Sequence, residues 1–341
     1  MSENDVVIAV DAMGGDKAPQ VVLDGVADAL SEDEHLAVIL CGAADVVEPF
    51  AASHERCEAH PCTEVITMEE QPAKAVRAKK DSSIVMGCHL VDEGAAQGIF
   101  SAGSTGAVLT AATLYIGRIK GIARPALATV IPAPTRPIVM CDVGANADCK
   151  PEYLVQFGQM ASVYAEKVIG IESPQAALLN IGTEEEKGSK FAQEAHRLLA
   201  EGLDNFAGNA EGSDIMAGTY EVIVTDGFTG NVCLKTVEGT SKALFKELKG
   251  IMKKSTLTKL GALTMKGGLT ELMGKVNSDT FGGAPLLGVK GACIKGHGSS
   301  NPLAIKNGVL ISARIVREGV PDLIGQMAAS AAAAKTSNSD R

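Results

Sequence analysis

Seven short apolar runs recur along the chain, and each stops at a polar loop rich in Gly or Ser before a helical pattern begins. They are VVIAV before DAMGGDKAP, LAVIL before CGAAD, GIF before SAGSTG, PIVMC before DVGANADCKP, ALLNI before GTEEEKG, EVIVT before DGFTGN and ACI before KGHGSSNP. Apolar runs without polar alternation suit strands buried on both faces, and parallel neighbours need a crossover, here a helix, to bring the chain back. The rhythm predicts an α/β fold with a mostly parallel central sheet. In such sheets ligands bind beyond the carboxyl ends of the strands, so the loops named above are where the chemistry is expected.

The helical stretches agree with this. Pro151 to Val168 places Leu154, Phe157, Ala161, Tyr164 and Val168 on one stripe with Pro151 in the first turn, and Asn301-Pro302 reads as N-cap and N1 of a helix over Leu303 to Val316. No linker interrupts the pattern before about residue 330, so residues 1–330 are expected to form one domain. In AAASAAAAKTSNSDR the alanines can extend a helix, while residues 331–341 are expected to fray as a tail.

Composition excludes several classes of function. A net charge of -10 argues against a general nucleic-acid binder, so any basic patch must be local. The cysteines at 41, 57, 62, 88, 141, 149, 233 and 293 form no C-x-x-C pair and read as free thiols in a reducing compartment. The polar start Met1 to Asp5 carries no signal-like segment, and no apolar run approaches the ~20 residues of a membrane span. A cytoplasmic protein is expected.

One segment breaks the rhythm. Lys242 to Lys275 holds eight lysines against two acids, together with Leu257, Leu260, Leu263, Met265, Leu269, Leu272 and Met273, for which a parallel sheet has no evident place. Residues 240–280 are therefore expected to form a protruding helical pair.

Among the loops, SAGSTG (Ser101 to Gly106) opens a run of small residues. Amides at Gly103, Ser104 and Thr105 would form either an anion site at a helix terminus or a plain βα turn with a Ser or Thr cap. DVGAN and DGFTGN both open on Asp and close on Asn, at Asn146 and Asn231; an Asn can steady a carbonyl oxygen whose charge grows during reaction, or hold a turn. In NIGTEEEKG a helix is expected to begin near Glu184 to Gly188. Glu184, Glu185 and Glu186 then favour its N-terminal dipole, whereas Lys187 opposes it and is a candidate anion ligand. Asp24 and Asp28 read as solvated acids. His297 lies in a Gly-rich loop; His35, His54, His60, His89 and His196 show no pairing. No G-x-S-x-G or H-E-x-x-H occurs, and no metal site is expected.

Taken together, VDAMGGD, SAGSTGA, DVGAN, NIGTEEEKG, TDGFTGN, GGAPLLGVKG and GHGSS resemble the bacterial phosphate acyltransferases of phospholipid synthesis, in order from about Val6 to about Gly319. The resemblance implies transfer of a fatty acyl group from acyl-acyl carrier protein to inorganic phosphate, without a cofactor. It implies a three-layer α/β/α fold akin to isocitrate and isopropylmalate dehydrogenases and to phosphotransacetylases, and a homodimer. It assigns the functional pair to Lys187 and Asn231, and peripheral attachment to the cytoplasmic membrane to a hydrophobic helical protrusion.

Phosphate is already a nucleophile and a thiolate a good leaving group, so positioning and charge stabilisation suffice. Phosphate is expected between the amides near Ser104 and Thr105 and Lys187, with Asn146, Asp226 and His297 as further contacts and Asn231 at the thioester oxygen or the phosphate. Leu257, Leu260 and Leu263 are expected at the membrane, and Lys246, Lys249 and Lys253 at the carrier protein. Two other readings compete: a CoA-dependent phosphate acyltransferase acting on short acyl groups, and a non-catalytic scaffold for carrier protein at the membrane. A metal-dependent dehydrogenase is disfavoured, because neither an arginine cluster nor a paired-Asp site is evident.

Overall fold

The computed structural model describes residues 5–275 and 278–339. All seven apolar runs are strands of one eleven-stranded sheet: β1 (Val6–Asp11), β2 (Leu36–Gly42), β4 (Gly98–Ser101), β6 (Pro137–Cys141), β7 (Ala176–Leu179), β9 (Val222–Val224) and β11 (Ala292–Lys295). Four further strands, β3 (Cys57–Pro61), β5 (Ala126–Pro132), β8 (Phe206–Ala210) and β10 (Ala284–Leu287), complete the order β3-β2-β1-β4-β11-β10-β5-β6-β9-β7-β8. Seven of the ten pairings are parallel.

Both faces of the sheet are covered. Along β1, Ile8 and Val10 enter one apolar layer with Leu36, Val38 and Leu40, whereas Ala9 enters the other with Ile39 and Cys41. The first layer is closed by helices Gln20–Glu32, Pro151–Tyr164 and Pro302–Arg317, the second by Ser83–Asp92 and Thr105–Ala111. Leu154, Phe157, Ala161, Tyr164 and Val168 are all fully buried, as their stripe predicts. Asn301 caps the Pro302–Arg317 helix, its Oδ1 accepting from Ala304 N at 2.9 Å. The alanine run extends a helix from Val320 to Ser339.

The three antiparallel pairings, β11–β10, β10–β5 and β5–β6, lie together in the middle of the sheet. They reverse its direction: β1, β2, β3, β4 and β11 run one way, and β6, β7, β8 and β9 the other. The carboxyl ends of the two halves therefore face opposite edges, and the chemistry-bearing loops fall into two groups.

The basic segment forms three helices rather than a pair: the end of a 27-residue helix, Gly227–Lys253, followed by Thr256–Thr264 and Lys266–Lys275. Of the long helix only Gly227 and Gly230 are buried, and Leu244, Ile251, Leu263 and Met265 are exposed. The side chains of Leu257, Leu260, Leu269, Leu272 and Met273 lie outside the described residues. Among the described residues no helix is long and apolar enough to cross a membrane.

Candidate active site

The first group is built on β6, β9 and β7, which are neighbours. Cys141 pairs with Val224 and Val224 with Leu178, so the loops DVGAN, TDGFTGN and NIGTEEEKG leave the sheet side by side. Asp142 organises the first of them. Its Oδ1 accepts from Leu127 N (3.1 Å), Gly144 N (3.1 Å) and Ala145 N (3.0 Å), and its Oδ2 from Asn146 N and Nδ2 (both 2.8 Å). Burial pushes the Asp142 carboxyl up, and these donors pull it back down. Asn146 spends its other amide hydrogen on Pro125 O at 2.8 Å, and its own carbonyl accepts from Gly227 N at 2.9 Å, tying loop to helix. Asp226 is the N-cap of the long helix: Oδ1 accepts from Phe228 N and Thr229 N, Oδ2 from the Thr229 hydroxyl. Of the substrate-contact candidates, then, Asn146 and Asp226 have polar atoms committed within the fold.

Lys187 and Asn231 sit differently. Asn231 is exposed at the start of the second turn of the helix, beside Gly144, and among the described residues its side-chain amide makes no hydrogen bond. Lys187 is exposed, with Nζ 3.7 Å from Glu184 Oε1. The helix after it begins at Lys190 rather than within residues 184–188, because Gly188 turns left-handed at φ 89° and Ser189 caps through Ala192 N. Glu184 to Lys187 thus form a turn ahead of the helix, and the dipole argument for the three acids applies only at a distance.

The second group is built on β1, β4 and β11, also neighbours. At its centre is Asp11, which sequence reasoning missed. Ser101 Oγ donates to Asp11 Oδ2 at 2.6 Å and accepts from Gly103 N at 3.1 Å, so the carboxylate fixes the start of SAGSTG. Burial pushes Asp11 up, against hydrogen bonds from Ser101 and Ser83. Ser104 is the N-cap residue of Thr105–Ala111, whose amides face the loop. His297 accepts at Nδ1 from Ser299 N at 3.2 Å; a backbone amide can only donate, so the neutral ring carries its proton on Nε2. Partial burial, then the charge of Lys235, lower His297, and the same two causes bring Lys295 down to about 8. Neither Lys235 nor Lys295 stands out in the sequence.

The residues expected around phosphate are divided between the two groups, Ser104 and Thr105 in the second and Lys187 in the first. From β4 to β7 is six strand steps, about 29 Å at the usual spacing, and the two loops leave opposite edges. What connects the groups is the Gly227–Lys253 helix. It begins at the first group, and one turn past Asn231, about 6 Å along the axis, Lys235 already acts on His297 and Lys295 of the second.

Pairing also corrects the reading of the histidines. His196 is buried with Nδ1 2.9 Å from Asn209 Oδ1, a contact made through β8, which no apolar run announces; His35 meets Asp5 and His54 the Phe50 carbonyl. Asp24 and Asp28 are exposed. Among the described residues no cluster of three or more His, Cys, Asp or Glu side chains is placed to hold a metal ion.

The chain matches the family model described as fatty acid synthesis protein over residues 6–323. It is 49% identical over 307 residues to the phosphate acyltransferase of Alkaliphilus oremlandii, covering 89% of this chain and 91% of that one. To the phosphate acyltransferase of Lysinibacillus sphaericus it is 46% identical over 299 residues, covering 87% and 91%. Among solved structures it resembles a phosphotransacetylase from Streptococcus pyogenes, with a TM-score of 0.59 at 17% identity over 92% of this chain and 95% of the other, a likeness of fold. The loops that carry both residue groups fall inside the matched span, and the chain belongs to the phosphate acyltransferase family, an acyltransferase of fatty-acid and lipid synthesis.

Proposed function

We propose that this acyltransferase moves the fatty acyl group from acyl-acyl carrier protein to inorganic phosphate, at Lys187 and Asn231. The observation that carries the proposal is a contrast within the first group: Asp142, Asn146 and Asp226 are committed to holding loops, whereas Lys187 and Asn231 present their polar ends at adjacent strand ends. A phosphate oxygen attacks the thioester carbonyl, the C–S bond breaks, and the carrier leaves as a thiolate, with no covalent enzyme intermediate. Lys187 offsets phosphate charge, and Asn231 donates to the carbonyl oxygen as it becomes anionic, or orients the phosphate. Gly103, Ser104, Thr105 and His297 contribute anion contacts in the second group, beside Lys235 of the bridging helix.

Carrier protein is preferred over CoA as donor because Lys246, Lys249 and Lys253 form an exposed basic surface on an otherwise acidic chain, suited to steering an acidic partner. Leu263 and the residues around it, with Lys259 and Lys266 beside them, suit reversible attachment to an anionic membrane surface. A homodimer completes the reading.

The test is mass-spectrometric detection of acyl phosphate when the protein is mixed with phosphate and either acyl-acyl carrier protein or acyl-CoA. Acyl phosphate from the carrier protein supports the proposal; acyl phosphate from acyl-CoA alone replaces the donor. Lys187→Ala and Asn231→Ala are each expected to fold and to lose at least ~100-fold in rate. A rate near the parent's in either variant removes that residue from the mechanism, and no acyl phosphate from either donor leaves the scaffold reading.

A further inference from the structure

Lys187 hangs from a turn shaped largely by side chains. Within it Lys187 N donates to Glu184 O at 3.1 Å. Its carbonyls are met from outside. Asn209 Nδ2 donates to Glu184 O at 2.7 Å, Gln193 Nε2 to Glu186 O at 2.6 Å, and Asn180 Nδ2 to Lys187 O at 3.1 Å. Asn180 and Gln193 are close neighbours in sequence. Asn209 is not: it comes from β8, next to β7 at the sheet edge, and is 2% exposed.

A buried amide has two nearly isosteric orientations, and only one puts the donor on Glu184 O. His196 selects it. Its Nδ1 lies 2.9 Å from Asn209 Oδ1, and because Asn209 already gives its Nδ2 to Glu184, the ring is the donor in this contact. The imidazole is held edge-on against Phe206, with centroids 5.1 Å apart and planes at 75°. The sequence is thus ring to amide to carbonyl, ending three residues before Lys187.

We propose that Asn209 and His196 are positioning residues for Lys187, setting the turn so that its ammonium reaches the phosphate. The inference rests on the catalytic reading of Lys187 given above. Asn209→Asp keeps the shape but turns an oxygen toward the Glu184 carbonyl. His196→Phe keeps the ring packing and removes the donor, and His196→Gln restores an amide donor.

The measurement is the rate of phosphate-dependent thioester cleavage per folded molecule, in each variant alone and in combination with Lys187→Ala, with thermal unfolding alongside. Asn209→Asp and His196→Phe are expected to lose between about 10-fold and the ~100-fold that a 1 Å misplacement costs, and His196→Gln to stay within about 3-fold. In the Lys187→Ala background the same changes should cost less than about 2-fold, because the group they aim is gone.

A merely structural role gives lower melting temperatures with unchanged rates per folded molecule, or losses that multiply with that of Lys187→Ala; either overturns the inference and leaves the reading of Lys187 standing. If Lys187→Ala is itself fully active, both fall. Should Asn209→Asp fail to fold, the His196 pair decides: loss in Phe with retention in Gln supports positioning, and equal rates overturn it.

Discussion

A methyl group at Gly230 should damage the reaction more than the fold. A Cβ built there lies 2.0 Å from the Asp142 carbonyl oxygen, where contacts under 3.0 Å are essentially never found, so the first turn of the helix must withdraw by at least about 1 Å. The obstacle is backbone held by β6 and by the hydrogen bonds around Asp142, so the helix gives way rather than the loop. Asn231 is the next residue and moves with it. A shift of that size costs about 100-fold in rate, while overpacking of this kind costs about 1–3 kcal/mol, out of a total stability on the order of 5–15 kcal/mol. Gly230→Ala should therefore remain folded, with a modestly lower urea midpoint and about 1% of the activity. Gly239→Ala is the control on the same helix: its added Cβ meets nothing within 4 Å, so it should gain roughly 0.5–1 kcal/mol and keep full activity. Steady-state rates of phosphate-dependent thioester cleavage, with urea titrations, settle the matter. Equal rates in the two variants would refute the argument that Gly230 sets the position of Asn231.

In the second group, Gly103→Val places bulk 2.9 Å from Ile84 and 3.2 Å from Asp11 Oδ2, and should raise the phosphate requirement sharply, whereas Ser104→Ala should do so mildly. Equal slight effects would favour a plain βα turn. Lys295, whose folded pKa of about 8 lies below its usual 10.5, carries its full destabilising penalty below pH 8. Above that the unfolded chain holds a proton that the folded one has released, so this group makes stability rise with pH from about 8 to 10.5. Lys295→Met should lack that rise in urea midpoints, and parallel pH profiles would exclude the burial of its charge as the cause. The double variant Leu257→Glu, Leu260→Glu should remain a dimer by size-exclusion chromatography but no longer sediment with anionic liposomes; a monomer, or unchanged sedimentation, speaks against membrane attachment through that segment.

Most of the sheet was legible because its central strands are buried on both faces and so appear as apolar runs. Four strands were not: the edge strands β3 (CEAHP) and β8 (FAGNA) hold too few apolar residues to produce a run, and β5 (ALATVIP) and β10 (APLL), though in the middle of the sheet, each lead into another strand rather than a helix. The cost of missing β8 was the pairing of His196 with Asn209, a contact between residues 13 apart that depends on where an edge strand docks. The loops after β6, β7 and β9 were identified residue by residue, since strand ends announce themselves by Gly, Asp and Asn. Their grouping was not, because strand direction is set by pairing. The hairpin of β10 and β11 and the antiparallel β5 turn half the sheet over, and that puts Ser104 and Lys187 in different groups of loops. Asp11 was passed over because a single Asp at a strand end looks the same whether its carboxylate is solvated or clasped by Ser101.

The order in which the sheet is assembled bears on how the protein is born. β4 carries Phe100, and its neighbour on one side, β11, is encoded some 190 residues later. At ribosomal speeds of about 5–20 residues per second, roughly 10–40 s pass between the emergence of Ser101 and that of Lys295. Throughout that interval the partly made sheet of β1 to β4 has an open parallel edge, the kind of surface that recruits foreign strands. The loop bearing His297 takes its place only when β11 slides in and closes the edge, so the ordering of that loop and protection from misassembly arrive in the same late event of synthesis.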